Sequence, residues 1–162
     1  MAGPVLTDAS PLIGLARVDG LPWLGLLFGS VWVPTEVERE VLPGRSHPDE
    51  KGLMLAFEQG ILKRCGKTPL EPALPELDEG EAACIHLALA YESPALLLMD
   101  ERAGRALAIE RGLSVTGTAA VIGMARSRGL IPSARAVFAR LHASDFRISA
   151  QVIATILRRV GE

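Results

Sequence analysis

The stretch ALLLMDERAG, residues 95–104, joins an unbroken apolar run to a carboxylate at its end. Five apolar residues bounded by polar ones predict a buried strand over residues 95–99, so that Asp100 lies at its carboxyl end. A helical pattern over residues 103–111 follows at once and is closed by Gly112. A buried strand followed directly by a helix is the repeating unit of a parallel sheet covered by helices.

The same alternation of strand and helix continues in both directions along the chain. Further strands are predicted over residues 4–8, 31–33, 61–65 and 113–116, and helices over residues 21–28, 48–60, 79–91, 120–128, 133–142 and 149–160. Two more helices are predicted to open at Ser10, with Pro11 in the first turn, and at Thr35, because Ser and Thr are good helix caps. This pattern predicts an α/β fold with a central parallel sheet covered on both faces.

Length and composition favour one ordinary domain. A chain of 162 residues with 49% hydrophobic and 22% charged residues can bury a real core, which excludes a disordered protein. We therefore expect a single domain over residues 1–162, with residues 133–162 as C-terminal helices. Cys65 and Cys84 are far apart and form no C-x-x-C motif, which argues against a disulfide framework or a zinc site. No targeting pattern or transmembrane run is evident, so we expect a cytoplasmic protein that does not associate with a membrane.

The charges are distributed unevenly, although the formal net charge is only −2. Residues 71–101 contain many acids and no Lys or Arg. The segment after residue 125 contains seven arginines, and its only acidic residues are Asp145 and Glu162. An acidic pocket beside a basic flank suits a metal site that receives a polyanion such as nucleic acid. The alternative is a solvated charged face that keeps the protein soluble.

Four carboxylates lie in otherwise apolar stretches: Asp8, Glu40, Glu81 and Asp100. Acidic side chains are rarely buried without a partner, and several in one pocket raise each other's pKa. A divalent cation relieves this repulsion, and carboxylate oxygens suit Mg²⁺ or Mn²⁺. Asp8 and Asp100 both follow predicted strands, and open α/β sheets bind ligands beyond the carboxyl ends of their strands. The pattern therefore predicts a metal-dependent enzyme that acts on phosphates.

Taken singly, each of these acids has a simpler alternative explanation. Asp8 and Asp100 are also good caps for the helices that follow them, and Glu40 is also explained as a surface residue near a helix end. At the start of the helix over residues 79–91, the helix dipole alone favours acidic residues and accounts well for Asp78. It accounts less well for Glu81, which shares a helix face with apolar residues.

Two hydroxyl groups accompany the acids. Ser10 has no evident His or Asp partner for a nucleophilic role, so we interpret it as a hydroxyl that contacts phosphate or supports a metal ligand. Thr118, after Gly117 at the end of the last strand, is either a contact to substrate or metal-bound water, or part of a simple turn and cap. The chain contains neither a P-loop motif nor a G-x-S-x-G motif.

The order and spacing of these segments resemble the PIN-domain superfamily, the fold of VapC-type toxin ribonucleases. The similar segments are DASPLIGLARV (residues 8–18), VPTEVEREV (33–41), LDEGEAACIHLAL (77–89), LLLMDERAGRALAIERGL (96–113), VTGTAAVIGMARSRGLIP (115–132) and DFRIS (145–149). They are most similar to a prokaryotic PIN-like branch described as predicted nucleic-acid-binding proteins. The resemblance implies a three-layer α/β/α sandwich and a Mg²⁺- or Mn²⁺-dependent nuclease. It places the family's four acids on Asp8, Glu40, Glu81 and Asp100, with Asp78 competing for the third position, where the family usually has Asp.

The resemblance also implies the substrate and partners. We expect hydrolysis of single-stranded RNA, an antitoxin that occupies the cleft if the chain is a toxin, and a homodimer. The apolar helix segment over residues 120–125 is a candidate dimer surface, and a core helix is the alternative. A PIN fold that binds nucleic acid or protein without cutting is the rival function. A small-molecule phosphatase is disfavoured, because Asp8-Ala9-Ser10 lacks the D-x-D pair of such enzymes.

Overall fold

The computed structural model describes residues 3–71 and 73–162 and contains a five-stranded, all-parallel sheet in the order β3-β2-β1-β4-β5. The strands are β1 (Val5–Thr7), β2 (Val31–Val33), β3 (Leu62–Arg64), β4 (Leu96–Leu98) and β5 (Ser114–Thr116). The helices are α1 (Ala9–Arg17), α2 (Leu21–Phe28), α3 (Thr35–Val41), α4 (Pro48–Glu58), α5 (Glu79–Ala90), α6 (Arg102–Glu110), α7 (Thr118–Ser127), α8 (Ala134–Ala143) and α9 (Ala150–Arg159). The predicted α/β/α sandwich around a parallel sheet is confirmed.

Both faces of the sheet are covered by helices. Successive side chains of a strand point to opposite faces. Leu97 and Leu98 of β4 are both fully buried, and so are Leu6 and Thr7 of β1. This burial on both faces explains why β4 appears in the sequence as an unbroken apolar run rather than as an alternating one.

Two predicted helix starts are wrong by a residue or more. Ser10 does not cap α1: Asp8, in extended conformation directly after β1, takes that position, and Ser10 lies inside the first turn. Thr35 is the first residue of α3, and Pro34 precedes it in extended conformation. In both cases the chain passes from strand to helix with a single connecting residue, which leaves no room for the predicted cap.

The apolar face of α7 belongs to the core. Val121, Ile122 and Ala125 are fully buried. Of the two explanations for the segment over residues 120–125, the core helix is therefore correct, and the segment does not offer the dimer surface considered above.

The N-terminal helices are short and apolar. Leu12 and Leu15 of α1 and Leu24 of α2 are fully buried in the same core as the sheet. Within the described residues, no single helix has the length and apolar character needed to cross a membrane; α1 and α2 reach it only as a pair, bent by 115°.

The strand order brings the ends of β1, β4 and β5 together. The chain runs outward from β1 through β2 to β3 on one side, and β4 and β5 occupy the other. The register pairs Leu6 with Leu97, and Leu97 with Val115. The direction of winding therefore reverses between β1 and β4, which is where open α/β sheets bind ligands.

Candidate active site

Asp8 lies at this switch point, where β1 passes into α1. Its backbone N–H donates to the carbonyl oxygen of Leu98 (2.9 Å), which ties it to the end of β4. Its side chain makes no capping hydrogen bond to α1, and only 6% of the residue is exposed. The fold therefore holds a carboxylate under cover at the centre of the strand ends.

Asp100 lies beside it and is held by three hydrogen bonds. The backbone N–H of Thr118 donates to Oδ1 (2.8 Å), the Thr118 hydroxyl to Oδ2 (2.7 Å), and the Ser10 hydroxyl also to Oδ2 (2.8 Å). These bonds join the end of β4 to the first turns of α1 and α7. Since a carboxylate has about four lone-pair sites, one on Oδ1 stays open to another donor or a cation.

Two further acids come from the start of α5. Asp78 is the N-cap, and its Oδ1 accepts from the backbone N–H of Glu81 (2.8 Å). Asp78 itself is exposed, whereas Glu81 is only 5% exposed and its carboxyl group also shares a hydrogen bond with that of Asp78. Asp78 therefore caps the helix and Glu81 is the buried acid, while the choice of the third acidic ligand between them stays a prediction.

The pKa shifts show that these acids form one electrostatic cluster. Burial raises the pKa of Asp8 from 3.8 to about 6; the Ala9 backbone N–H opposes this, and the charges of Asp78, Glu40 and Asp100 add to it. Burial also raises the pKa of Glu81, as do its hydrogen bond with Asp78 and the charges of Asp78 and Asp8. The pKa of Glu40, an exposed residue at the end of α3, is raised by partial burial and by Asp78.

Glycines make room for three of the acids. A methyl group on Gly80 would lie 2.9 Å from Oδ1 of Asp8, and one on Gly117 would lie 2.8 Å from Oδ1 of Asp100. A methyl group on Gly104 would lie 2.6 Å from Oε2 of Glu81. Each distance is too short for a real contact, so the absence of side chains at these positions allows the carboxylates to approach the helices.

The family model DUF3368, described as a PIN domain, matches residues 4–162. This chain belongs to the PIN-domain family. PIN domains are generally nucleases and typically use divalent metal ions. Comparison with curated proteins finds no match.

The oxygen donors of this PIN domain are of the chemical kind that hard divalent cations bind. Mg²⁺ keeps several of its waters and is commonly bound by one or two carboxylates together with substrate phosphates. Asp8 and Asp100 are suited to this role, because one is buried among like charges and the other is oriented with a free lone pair. Among the described residues, no three Asp, Glu, His or Cys side chains are arranged to hold one ion. Glu40 and Glu81 are thus near these two acids without completing a ready-made ligand set.

One polar wall of this PIN domain was not predicted from the sequence. Arg105, in the first turn of α6, donates from Nη1 to the carbonyl oxygen of Met99 (2.9 Å) and lines a cleft beside Asp100. The sequence contained one signal for this role, because Arg105 follows soon after Asp100, the acid at the end of β4. The opposite wall of the cleft comes from the segment after α8, which no local pattern places near the sheet.

Gly104→Ala is expected to destabilise the protein, because the new methyl group would overlap Glu81 and the Met99 sulfur, each 2.6 Å away. Overpacking of this kind costs about 1–3 kcal/mol, which exceeds the roughly 1 kcal/mol gained from better helix propensity. Gly52→Ala in α4 is the matched control, since its methyl group would meet only Leu21 at 3.7 Å. Urea unfolding of both variants measures the difference. Equal stabilisation of the two would show that Gly104 is not needed for the packing of Glu81.

Proposed function

We propose that this PIN domain is a Mg²⁺- or Mn²⁺-dependent ribonuclease that hydrolyses phosphodiester bonds of single-stranded RNA. The observation that supports it most is the pairing of Asp8 with Asp100 at the switch point of the sheet. A buried acid among like charges is unfavourable for the folded protein on its own. A bound divalent cation would offset the repulsion between these carboxylates, and a phosphate group of the substrate would bind at the same place.

In this proposal Asp8 and Asp100 would hold the metal ion, which when bound would lower the pKa of the attacking water and neutralise charge on the scissile phosphate. Ser10 and Thr118 keep the Asp100 carboxylate in one orientation. The raised pKa of Glu81, about 8, keeps its carboxyl group mostly protonated in the metal-free protein at neutral pH, so Glu81 would add negative potential only if a bound cation lowered that pKa. Glu40, at the exposed side, would orient a water molecule of the ion or the substrate.

The proposed biological setting is a toxin–antitoxin pair in the cytoplasm. The toxin role rests on the resemblance to VapC-type ribonucleases, and its antitoxin would cover the cleft beside Asp100. The free thiols of Cys65 and Cys84 suit a reducing compartment.

The test is cleavage of a mixed single-stranded RNA pool with Mn²⁺, with EDTA, and by the Asp8→Asn variant. We expect cleavage with Mn²⁺ to fall at least about a thousandfold in EDTA and in the variant, because both remove the water-activating ion. Glu92→Gln, an exposed acid after α5, is the control for loss of one negative charge and should cleave normally. Undiminished cleavage by a folded Asp8→Asn protein would refute this assignment.

A second candidate is a PIN-fold module that binds RNA without cutting it. The orientation of Glu81 supports it, because its carboxyl group is held between Asp78, Met99 and Gly104 instead of joining Asp8 and Asp100 around one ion. RNA binding in EDTA, with no turnover at any Mn²⁺ concentration, would favour this module over the nuclease.

A further inference from the structure

A cleft of about 560 Å³ opens beside Asp100, between the strand ends and the C-terminal part of the chain. Ser10, Asp100 and Arg105 contribute to one wall, and Arg147 and Arg159 to the other. Its volume is in the range of about 300–1,000 Å³ that is usual for ligand sites. The cleft therefore continues the candidate active site and adds basic side chains to an acidic centre.

The C-terminal wall is packed firmly onto the domain. The ring of Phe146 covers Gly14 of α1, where a methyl group would come within 2.9 Å of its Cζ atom. Ile156 of α9 covers Gly123 of α7 in the same way, because a methyl group on Gly123 would lie 2.8 Å from the Cγ2 atom of Ile156. Two close contacts on two different helices fix the backbone of the segment that carries Arg147 and Arg159 beside the cleft.

The three arginines of the cleft have no acidic partner among the described residues. Arg147 and Arg159 are exposed and form no ion pair there, and Arg105 bonds only to a backbone carbonyl. By contrast, Arg126 pairs with Glu162 and Arg140 with Asp19. Arginines without partners at a cleft provide free donors for phosphate oxygens.

The start of α9 adds backbone donors to the same wall. Ser149 caps this helix by accepting from the N–H of Val152 (3.2 Å), and both Ser149 and Gln151 line the cleft. The first N–H groups of a helix favour phosphate, and here they add to the arginine side chains. The wall thus combines two independent kinds of phosphate donor.

We propose that this cleft binds the sugar–phosphate backbone of a single RNA strand next to the cleaved phosphate, with Arg105, Arg147 and Arg159 as phosphate contacts. The inference rests on the proposed nuclease function and extends it by giving the strand a path from the Asp100 site along α9. A cleft of single-ligand size, closed on one side by the packed segment around Phe146, suits a single strand better than a duplex.

The test measures binding of a short fluorescein-labelled single-stranded RNA by anisotropy, in an Asp8→Asn background that prevents cutting. The cleft variant carries Arg147→Ala and Arg159→Ala. The control carries Arg111→Ala and Arg158→Ala, two exposed arginines outside the cleft, and so has the same net charge. We expect the cleft variant to bind at least about tenfold more weakly at low salt, with a salt slope smaller by about 1.4 for two lost contacts. The control should stay within about twofold.

The outcomes separate this inference from the proposed function. Equal weakening in both double variants would mean that net charge alone drives binding. Unchanged binding by the cleft variant, or no detectable binding by the Asp8→Asn parent protein, would also overturn the proposed role of the cleft. Any of these results, with wild-type protein that still cleaves RNA, leaves the nuclease intact. If only the cleft variant loses RNA binding, and the wild-type protein never cleaves RNA, the result would support the strand path and refute catalysis. Single-stranded DNA of the same sequence should also bind if backbone phosphates dominate, whereas duplex RNA should compete poorly.

Discussion

Asp8→Asn is expected to make the metal-free protein more stable at neutral pH while it removes the proposed cleavage activity. In the folded protein, burial and nearby acids raise the pKa of Asp8 from 3.8 to about 6. A difference of this size corresponds to about 3 kcal/mol of unfavourable interaction of the ionised carboxylate. Asparagine has a similar shape and carries no charge, so we expect a gain of about 2–3 kcal/mol, or roughly 4–12 °C in Tm.

The pH dependence of stability gives the same prediction a second readout. Because the folded protein binds the Asp8 proton more tightly than the unfolded chain, the free energy of unfolding decreases as pH rises from about 4 to about 6. Above that pH range the ionised Asp8 carboxylate destabilises the folded protein to the full extent. Below it, Asp8 is protonated in both the folded and the unfolded state. In Asp8→Asn the free energy of unfolding should not show this part of the decrease with pH. The variant should therefore be more stable than wild type at pH 7.5, and the difference should disappear near pH 3.5.

Glu92→Gln is again the control, because it removes one negative charge from an exposed position. Thermal unfolding of the three proteins, with and without Mn²⁺, completes the measurement. Mn²⁺ should raise the Tm of the wild type and of Glu92→Gln, and much less that of Asp8→Asn, because an ion that binds only the folded state stabilises it. An Asp8→Asn protein that is less stable than wild type at pH 7.5 would mean that Asp8 is a structural residue.

The strand ends could be predicted from the sequence because they depend on local pattern. The apolar run before Asp100 is buried on both faces of β4, and such a strand must be followed by a polar residue where it leaves the sheet. Asp8 follows β1 for the same reason. Parallel strands end at one edge, so both acids were expected to share that edge before the strand order was known.

The orientation of the remaining groups depends on contacts that no local pattern contains. Glu81 and Asp78 are one helical turn apart, and the buried one of the two, Glu81, packs against α6 at Gly104, which is distant in sequence. The cleft wall requires Phe146 to reach Gly14 near the other end of the chain. Periodicity shows which face of a helix is apolar, but it does not identify the partner of that face.

Thr118→Val is expected to weaken metal binding and metal-dependent cleavage by about 10–100-fold, the usual cost of losing a group that orients a metal ligand. Thr118 is fully buried, and its hydroxyl gives Oδ2 of Asp100 the shortest of the three hydrogen bonds, at 2.7 Å. Valine has nearly the same shape and keeps the backbone N–H bond to Oδ1 (2.8 Å). The substitution therefore leaves Oδ2 held by the Ser10 hydroxyl alone, while the packing around the carboxylate stays filled.

Thr118→Ser separates this orienting role from a general effect on folding. Serine keeps the hydroxyl and loses a buried methyl group, so it should cost about 1 kcal/mol of stability yet retain most of the metal affinity. Valine should show the reverse, with the Mn²⁺ concentration for half-maximal cleavage shifted upward and activity partly restored at saturating Mn²⁺. Ser10→Ala should have a smaller effect than Thr118→Val, because Ser10 is only half-buried and water can replace its bond to Oδ2. If the valine variant needed no more Mn²⁺ than the serine variant, the Thr118 hydroxyl would not orient the carboxylate through which Asp100 is proposed to bind the ion.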